Sequence, residues 1–486
     1  MIGVASIWAS LIWLATATLL QSARPEPVDL GDRRQLLLDA TLFERTDQVS
    51  FQVHTPEPRE VAVRCDRPWE RKVLHYSSIV YDQGRYRMWY RVDEGDPRID
   101  RPTDRTWTCY AESRDGIHWE KPELGLISHG GSTRNNIVLE HKEYWNASIL
   151  LDPKQPHGAA GRYKMIQLYY NDQDKREQIH GFISSDGFRW RPVETNPFLS
   201  DGPFDSHNIL LFDGARDRYV IFMRGVDRSK PGPFFGGRRA VRRSESADFL
   251  HWSPTELVLT SDGDDPPDLH IYTNAAVKYA RADNAWFMFP MVLHPARAYA
   301  GAPYPELSDV QFAWSRDGVS WKRPDRRPYL RAGPDERNWV DRNPIVGQGL
   351  VQTGSNELSL YYSELFRSPE SCIRRAALRT DGFVSLDGPY GGWGEVTSRP
   401  VRFSGRRLEL NYRTTGGGSI RVEIQDESGT PLPGFALSDC PDIFGDRVEE
   451  IVRWKTGEDL SAFSEKPVRL RVRLRDASLF AFRFTP

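Results

Sequence analysis

The sequence is poor in cysteine and has no excess of either charge. Its 486 residues include 65 basic and 67 acidic side chains, for a formal net charge of -2. Because the two charges are almost balanced, the protein has no net positive field to attract nucleic acid or an anionic membrane, and we expect neither as a partner. The four cysteines are too widely spaced for a zinc motif. They predict either two disulfides in an oxidising compartment, with Cys65–Cys109 and Cys372–Cys440 as the local pairing, or four buried thiols.

Long apolar runs are also missing after residue 20, and no segment has the pattern of a long amphipathic helix. Residues 2–20 are apolar and uncharged, and Ser22, Ala23 and Arg24 end the run. This pattern predicts an export signal over residues 1–23, cleaved near Ala23. Because no basic residue precedes the run, an uncleaved membrane anchor is the alternative. We therefore expect a secreted, periplasmic or cell-surface protein.

Aromatic residues and one short repeat are what the sequence has in abundance. It contains 15 Trp and 19 Tyr, residues that favour β-strands and either pack between sheets or stack on sugar rings. The repeat is Ser, any residue, Asp, Gly, two residues, Trp. Asp-Gly supplies the positive φ of a tight turn, so each copy predicts a hairpin. Three clear copies, a looser one and a decayed one are Ser113–Trp119, Ser184–Trp190, Ser315–Trp321, Ser244–Trp252 and Arg379–Phe383.

Two apolar runs separated by a polar turn precede each copy of the repeat, as in residues 75–91 and 207–224. Two inner strands and an outer hairpin make a four-stranded unit, and five such units predict a β-propeller. We therefore expect an all-β chain with a five-bladed β-propeller over residues 61–390. Residues 24–60 are expected to pack on it as an extension, and the alternating segments of residues 395–486 predict a β-sandwich.

The segments SIVYDQGRYRMWYR and SRDGIHWE resemble the five-bladed propeller glycoside hydrolases of families 32 and 43. The resemblance runs from Val61 to the end of the chain, and family 32 also has a C-terminal sandwich. It implies a carbohydrate-active hydrolase with three carboxylates at the mouth of a central funnel, which serve as base or nucleophile, transition-state stabiliser and general acid. The first two of these positions fall on His75 or Tyr76 and on Asn146, none of which is acidic.

Candidate site residues are those that begin an inner strand or follow the second strand, because both places lie at the funnel mouth. As catalytic residues we expect Glu364 or Asp268 as the acid and Asp205 as the base, with Glu70 in reserve. The expected substrate-binding residues are polar or aromatic: His75, Tyr76, Arg91, Asp93, Trp145, Asn146, His207, His270, Tyr272, Arg342 and Asn343.

Arg91 and Arg342 offer the bidentate fork that suits a carboxylate or sulfate on a sugar, and an ion pair with a nearby acid is the alternative. The acidic stretch Asp262–Asp268 predicts either a calcium site or a solvated turn, and no other metal or cofactor is expected. The leading functional hypothesis is a monomeric glycoside hydrolase that acts on a polysaccharide or oligosaccharide. The alternatives are a non-catalytic glycan-binding propeller and a cell-surface interaction scaffold.

Overall fold

The computed structural model describes residues 26–96, 105–141, 144–302 and 304–486. The predicted export signal, residues 1–23, lies outside them. The prediction of an all-β chain is confirmed for the described residues, which contain no α-helix. Their three 3-10 helices are Ala40–Leu42, Glu336–Asn338 and Ser461–Phe463. No helix in these ranges is both long enough and apolar enough to cross a bilayer.

Three regular antiparallel sheets follow one another along the chain, each joined internally by tight turns such as that at Gln83 and Gly84, where φ is positive. Sheet 1 contains Val73–Asp82, Arg85–Asp93, Thr106–Ser113, Trp119–Glu120 and Ile137–His141. Sheet 2 contains Tyr144–Leu151, Tyr163–Asn171, Arg176–Ser184 and Arg191–Pro192. Sheet 3 contains Ile209–Asp213, Arg218–Asp227, Arg238–Ser246 and Glu256–Leu259.

Sheet 4 is split into two parts. Pro290 interrupts its second strand because proline has no N–H to donate to a neighbouring strand. One part contains His270–Ile271, Met291–His294 and Leu307–Val310, and the other contains Val277–Lys278, Trp286–Met288, Ala313–Ser315 and Trp321–Lys322.

Sheet 5 combines strands from both ends of the sequence. Its members are Ile345–Val346, Val351–Gly354, Glu357–Glu364, Cys372–Arg379 and Glu57–Arg64. The strand Glu57–Arg64 lies at the outer edge and pairs antiparallel with Cys372–Arg379. It crosses the boundary predicted at residues 60 and 61, because an alternating pattern does not reveal which sheet a strand joins.

The remaining strands, which we call sheet 6, also mix the two termini. The large antiparallel sheet contains Gln35–Leu36, Phe43–Asp47, Ser50–Val53, Val384–Gly388, Gly394–Ser398, Arg407–Gln425, Asp446–Ile451 and Arg469–Thr485. A parallel pair, Val28–Gly31 and Val401–Phe403, accompanies it. Residues of the predicted N-terminal extension are therefore strands beside the C-terminal segment, and Val384–Gly388 joins them although it precedes the predicted start at residue 395.

In each of the four copies of the repeat that keep the serine and the tryptophan, the aspartate carboxylate accepts two backbone N–H groups of the turn. In the first copy the Asp115 carboxylate accepts the backbone N–H groups of Ile117 and His118, and the Trp119 indole donates to the Gly116 carbonyl. Gly116, Gly187 and Gly318 all have a φ between 74° and 81°. The turn also fastens neighbouring sheets, because the Trp89 indole of sheet 1 donates to the carbonyl of Gly187 in sheet 2 at 2.9 Å.

Sheets 1 to 5 pack against one another in chain order, and sheet 5 packs against sheet 1. Each of the five interfaces buries apolar side chains from both sheets in one cluster. Representative pairs, starting from sheets 1 and 2, are Trp89 with Tyr163, Ile166 with Ile221, Phe222 with Trp286, Phe287 with Leu360, and Tyr361 with Met88. Burial of such rings and branched chains contributes roughly 1.5–3 kcal/mol per side chain.

Gln348 links the first strands of four sheets. Its Oε1 accepts the hydroxyls of Ser78 and Ser148 at 2.9 and 2.6 Å, and its Nε2 donates to the Leu210 carbonyl at 2.8 Å. The backbone N–H of Ile79 also donates to the Gln348 carbonyl. This fully bonded amide is buried, so it fixes the inner edges of the sheets relative to one another.

Candidate functional site

Two matching β-bulges shape one end of sheets 1 and 2. They occur where the strand register shifts, at Tyr76 with a φ of 49° and at Asn146 with a φ of 59°. A bulge redirects side chains away from the regular alternation. Tyr76 here packs on the ring of His207, and the Asn146 amide donates to the Ser206 carbonyl at 3.0 Å. Both bulges thus turn a side chain toward the start of sheet 3.

Buried aromatic rings stack at this end of the molecule. Ring centroids lie 4.3 Å apart for His75 and Tyr76, 5.2 Å for Tyr76 and His207, and 5.5 Å for His75 and Phe366. Burial lowers the pKa of His75 to about 4 and that of His207 to about 3, so both rings are neutral at pH 7. His207 donates from Nε2 to the Ala147 carbonyl at 3.2 Å, which leaves Nδ1 as an acceptor.

Arg91 and Asp93 form an ion pair beside these rings. Arg91 donates from Nε to Asp93 Oδ1 at 2.7 Å and from Nη1 to Asn146 Oδ1 at 2.5 Å. Thr106 donates to the same carboxylate, and His75 Nε2 lies 3.7 Å from its other oxygen. Although burial opposes ionisation, the Arg91 guanidinium holds the pKa of Asp93 well below its usual range. Arg91 is therefore engaged by an internal acid, the alternative that its sequence position left open.

Sheet 5 contributes a second internal ion pair. Arg342, at a φ of 57°, donates to Asp341 at 2.8 Å, and Arg367 binds the same carboxylate through two bonds of 3.0 and 2.7 Å. Asn343 donates from Nδ2 to the Asn338 carbonyl. Arg342 and Asn343 thus lie at the start of sheet 5 as predicted from their position, with internal partners in both cases.

Sheet 3 brings two arginines together over two aromatic rings. The guanidinium of Arg224 lies 4.3 Å from the ring centre of Tyr272, and that of Arg239 lies 4.2 Å from the ring centre of Phe234. Arg239 also contacts His270 Nδ1 at 3.3 Å. Burial and the charge of Arg224 lower the pKa of Arg239, which is the signature of two guanidinium groups held close together.

Two carboxyl groups stand beside Arg224. Asp205 Oδ2 lies 3.8 Å from Arg224 Nη1, and the Asp205 side chain is 61% exposed. Glu177 accepts the backbone N–H groups of Phe204 and Asp205 through Oε2. Burial, followed by the negative charge of Asp205, raises the pKa of Glu177. The pair therefore combines one solvent-facing carboxylate with one carboxyl group that retains its proton more readily.

Two of the predicted catalytic residues lie apart from this pair. Glu70 is fully buried and bonds to the Tyr90 hydroxyl at 2.7 Å and to Lys121 at 2.5 Å. Glu364 accepts from the Tyr362 hydroxyl at 2.9 Å and from Arg374 at 2.7 Å, in a groove beside the outer strand of sheet 5. Each of these carboxylates is therefore paired with a cation of the protein, Lys121 for Glu70 and Arg374 for Glu364. These contacts do not support a role for either one in proton transfer to a substrate.

Asp268 and Trp145 lie at the edge of the cluster. The Asp268 carboxylate is exposed and accepts the Ala296 backbone N–H at 3.3 Å. The pKa of nearby His294 is raised mainly by its hydrogen bond to Asp309 and to a smaller extent by the charge of Asp268. Trp145 is half buried and packs against the apolar cluster between sheets 2 and 3. Asp268 is thus available to solvent, whereas Trp145 has a packing role.

The acidic stretch before sheet 4 is bound by arginine. Arg323 contacts both Asp262 and Asp265, and Arg326 donates to Asp262 at 2.6 Å. These guanidinium groups supply the positive charge that a calcium ion would bring. Within the described ranges no three or more His, Cys, Asp or Glu side chains are grouped as metal ligands.

All four cysteines are free thiols, so the predicted pairings Cys65–Cys109 and Cys372–Cys440 are wrong and the alternative of free thiols holds. Cys372 belongs to sheet 5, whereas Cys440 lies in the apolar core of sheet 6. Burial raises the pKa of each thiol, which makes them unreactive.

A cleft of about 680 Å³ lies near Tyr272. Its lining includes Tyr299 and Trp339, whose rings are 6.0 Å apart, together with Arg367. Val340 at its wall shares an apolar cluster with Tyr272. Partly exposed aromatic rings of this kind offer flat apolar faces to a ring-shaped ligand.

Sequence reasoning missed Arg224, Arg239 and Glu177, although the repeat contained the signal. The strands can be aligned on the serine that opens the turn, Ser113 in sheet 1 and Ser246 in sheet 3. This alignment places Arg224 where sheet 1 has Arg91, as RYVIFMR and RYRMWYR show. The same alignment gives Glu177 and Arg239 one shared position near the start of the third strand. The candidate residues predicted from the sequence lie on the first two strands of each unit, since only those strands are expected to reach the site.

Comparison with protein-family models finds no match. Among curated proteins the chain is similar to an uncharacterized protein of Mycobacterium tuberculosis strain H37Rv, at 27% identity over 158 residues. The match covers 31% of this chain and 46% of that protein, so the chain spans less than half the length of its relative. A counterpart from strain CDC 1551 matches to the same extent.

Several solved structures are similar to this chain at low scores. A glycoside hydrolase has a TM-score of 0.46 and 15% identity over 67% of this chain and 92% of its own. A thermostable family-43 glycoside hydrolase has a TM-score of 0.45 and 13% identity, covering 68% of this chain and 96% of its own. An N-acetylgalactosamine deacetylase from F. plautii has a TM-score of 0.44 and 14% identity, covering 69% of this chain and 97% of its own.

Proposed function

We propose that this chain is an exported carbohydrate-active enzyme, a glycoside hydrolase that acts on a polysaccharide or oligosaccharide. We further propose that sheets 1 to 5 are the blades of a five-bladed β-propeller and that sheet 6 is an accompanying β-sandwich. The cyclic order of the five apolar interfaces supports the blade arrangement. Export is supported by the apolar N-terminal segment of the sequence alone.

The observation that carries the proposal is the meeting of buried polar groups from neighbouring sheets at one end of this ring. Neutral His75 and His207, the paired Asp93, and Arg224 with its nearest carboxylate 3.8 Å away all lie there. Burying polar groups without full pairing costs roughly 1–3 kcal/mol each, so a cluster of them favours a binding or catalytic role.

Glycosidic bond cleavage needs a protonated acid and a carboxylate on opposite sides of the bond. In this proposal Glu177 gives its proton to the leaving oxygen, because its pKa is raised by burial and by Asp205. Asp205 accepts a proton from water as the water oxygen bonds to the anomeric carbon. The glycosidic C–O bond breaks, and Arg224 steadies the charge of Asp205 across 3.8 Å.

The test is a screen of the purified protein on polysaccharides and aryl glycosides, followed by variants. Asp205→Asn and Glu177→Gln are each expected to lower turnover by at least about a hundredfold, the usual contribution of a positioned acid or base. Glu194→Gln, at an exposed glutamate in the turn after the last strand of sheet 2, is the control and is expected to leave turnover unchanged. Loss of activity in Glu364→Gln or Asp268→Asn, with full activity in Glu177→Gln, would refute the assignment.

A non-catalytic glycan-binding protein is the second candidate, and one observation favours it. The places where the resemblance implies two carboxylates hold His75 or Tyr76 and, second, Asn146, and none of these is acidic. Tyr76 and Asn146 are each fixed in a β-bulge with an internal contact. That candidate predicts sugar binding with no turnover on any glycan in the screen. Binding that persists in Asp205→Asn and Glu177→Gln would agree with it.

A further inference from the structure

Arg224 is a buried cation whose nearest carboxylate is too far away for a hydrogen bond. Its side chain is 3% exposed, and its Nε and Nη2 atoms have no hydrogen-bond partner in the described part of the chain. The one carboxylate within 4 Å, Asp205, stays at 3.8 Å and faces solvent. A buried charge in this state is costly unless a ligand completes its contacts.

Comparison of two copies of the repeat shows that the arginine of sheet 3 lacks the hydrogen-bonded carboxylate that its counterpart in sheet 1 has. In sheet 1 the equivalent arginine, Arg91, is bound by Asp93, two residues further along the strand. In sheet 3 the residue two beyond Arg224 is Val226, which offers no charge. Arg91 in sheet 1 is therefore neutralised by a carboxylate of its own strand, whereas the strand that carries Arg224 in sheet 3 provides no such carboxylate.

Arg239 doubles the positive charge at the same place. Arg224 is opposite Val241 in the strand register, so Arg239 lies diagonally across on the same face of sheet 3. Among the described residues Arg239 has no carboxylate within 4 Å, and its polar contacts are with His270. Two guanidinium groups repel one another, and an anion between them would convert that repulsion into two attractions.

From this arrangement we infer that the site takes an anionic sugar, one carrying a carboxylate or a sulfate group that Arg224 and Arg239 bind together. The planar guanidinium groups suit the paired oxygens of either anion. The aromatic rings of Tyr272 and Phe234 beneath them complete a site with a charged part and an apolar part. The inference rests on the carbohydrate function proposed above and replaces Arg91 and Arg342 as the anion-binding arginines.

The test is ligand-observed NMR titration of the full-length protein with matched sugars. The carboxylate probes are glucuronate and galacturonate, the sulfate probes are glucose 6-sulfate and galactose 6-sulfate, and glucose and galactose are the neutral references. We expect at least one anionic class to bind about tenfold or more tightly than its neutral reference, with affinity falling as salt rises. The carboxylate and sulfate arms decide which group the arginines prefer.

Arg239→Gln is expected to remove most of the preference for the anionic sugar, measured as the ratio of its affinity to that of the neutral reference. Arg224→Gln should also remove most of this preference, and thermal unfolding shows whether this more buried variant is folded. Arg218→Gln is the matched control, because Arg218 lies at the far end of the same strand, where its side chain donates to the Asp217 carbonyl.

Equal affinity for neutral and anionic sugars, or an anionic preference that survives Arg239→Gln, would overturn the inference and leave the carbohydrate proposal intact. If no sugar of either kind binds, the proposed function fails together with the inference. These two failures are therefore distinguishable in one experiment.

Discussion

Replacing Gly187 by alanine is expected to weaken the contact between sheets 1 and 2. Gly187 has a φ of 81°, and an added Cβ would lie 2.7 Å from Trp89 Cζ2. The left-handed backbone costs a non-glycine residue about 1–2 kcal/mol. Forcing a methyl group into the packed indole adds about 1–3 kcal/mol, since Trp89 is fully buried and also donates to the Gly187 carbonyl. The expected loss in the free energy of unfolding is therefore about 2–5 kcal/mol.

Gly158→Ala is the matched control for this prediction. Gly158 belongs to the loop between the first two strands of sheet 2 and has a φ of 79°, but no atom lies within 4 Å of its added Cβ. It should therefore lose only the backbone contribution of about 1–2 kcal/mol. Urea unfolding followed by tryptophan fluorescence measures both. If the two variants lose equal stability, the packing of the repeat's turn against the neighbouring sheet is refuted.

Three further outcomes follow from buried polar groups. The pKa of His207 is about 3 in the folded protein and near 6.5 in the unfolded chain. The free energy of unfolding therefore falls as the pH drops below 6.5, by about 2 kcal/mol at pH 5. His207→Gln should remove this part of the acid sensitivity in denaturant titrations. Gln348→Leu should cost about 2–4 kcal/mol in the same assay, because it leaves buried hydroxyls unbonded, whereas exposed Gln352→Leu should cost little. Asp205→Asn should lower the pKa of Glu177 in a carbon NMR titration, since it removes a neighbouring negative charge, and an unchanged pKa would contradict their proximity.

The all-β character and the repeated turns could be predicted because both depend on local signals. Asp115 and Gly116 define one turn by themselves, and the same phrase marks the turn in later sheets. Sheet membership of the terminal strands depends instead on long-range pairing. Nothing in the local pattern of Glu57–Arg64 says that it pairs with Cys372–Arg379, far away in the sequence.

The position of candidate residues could be predicted for the first strand of a unit and not for the third. His75, Tyr76, Asn146 and His207 meet at the expected end of the sheets, because strand starts share one edge. Ion pairing could not be foreseen, since it depends on which side chains face one another across strands. Glu364 illustrates this, because its partner Arg374 lies on the neighbouring strand of sheet 5.

The most direct measurement is a crystal structure of the protein soaked with the sugar that binds best in the titrations. We expect sugar density over Tyr272 and Phe234, with an anionic group between Arg224 and Arg239 and a hydroxyl or ring oxygen near Asp205. Density confined to the cleft beside Trp339, or to the surface of sheet 6, would contradict the location of the site.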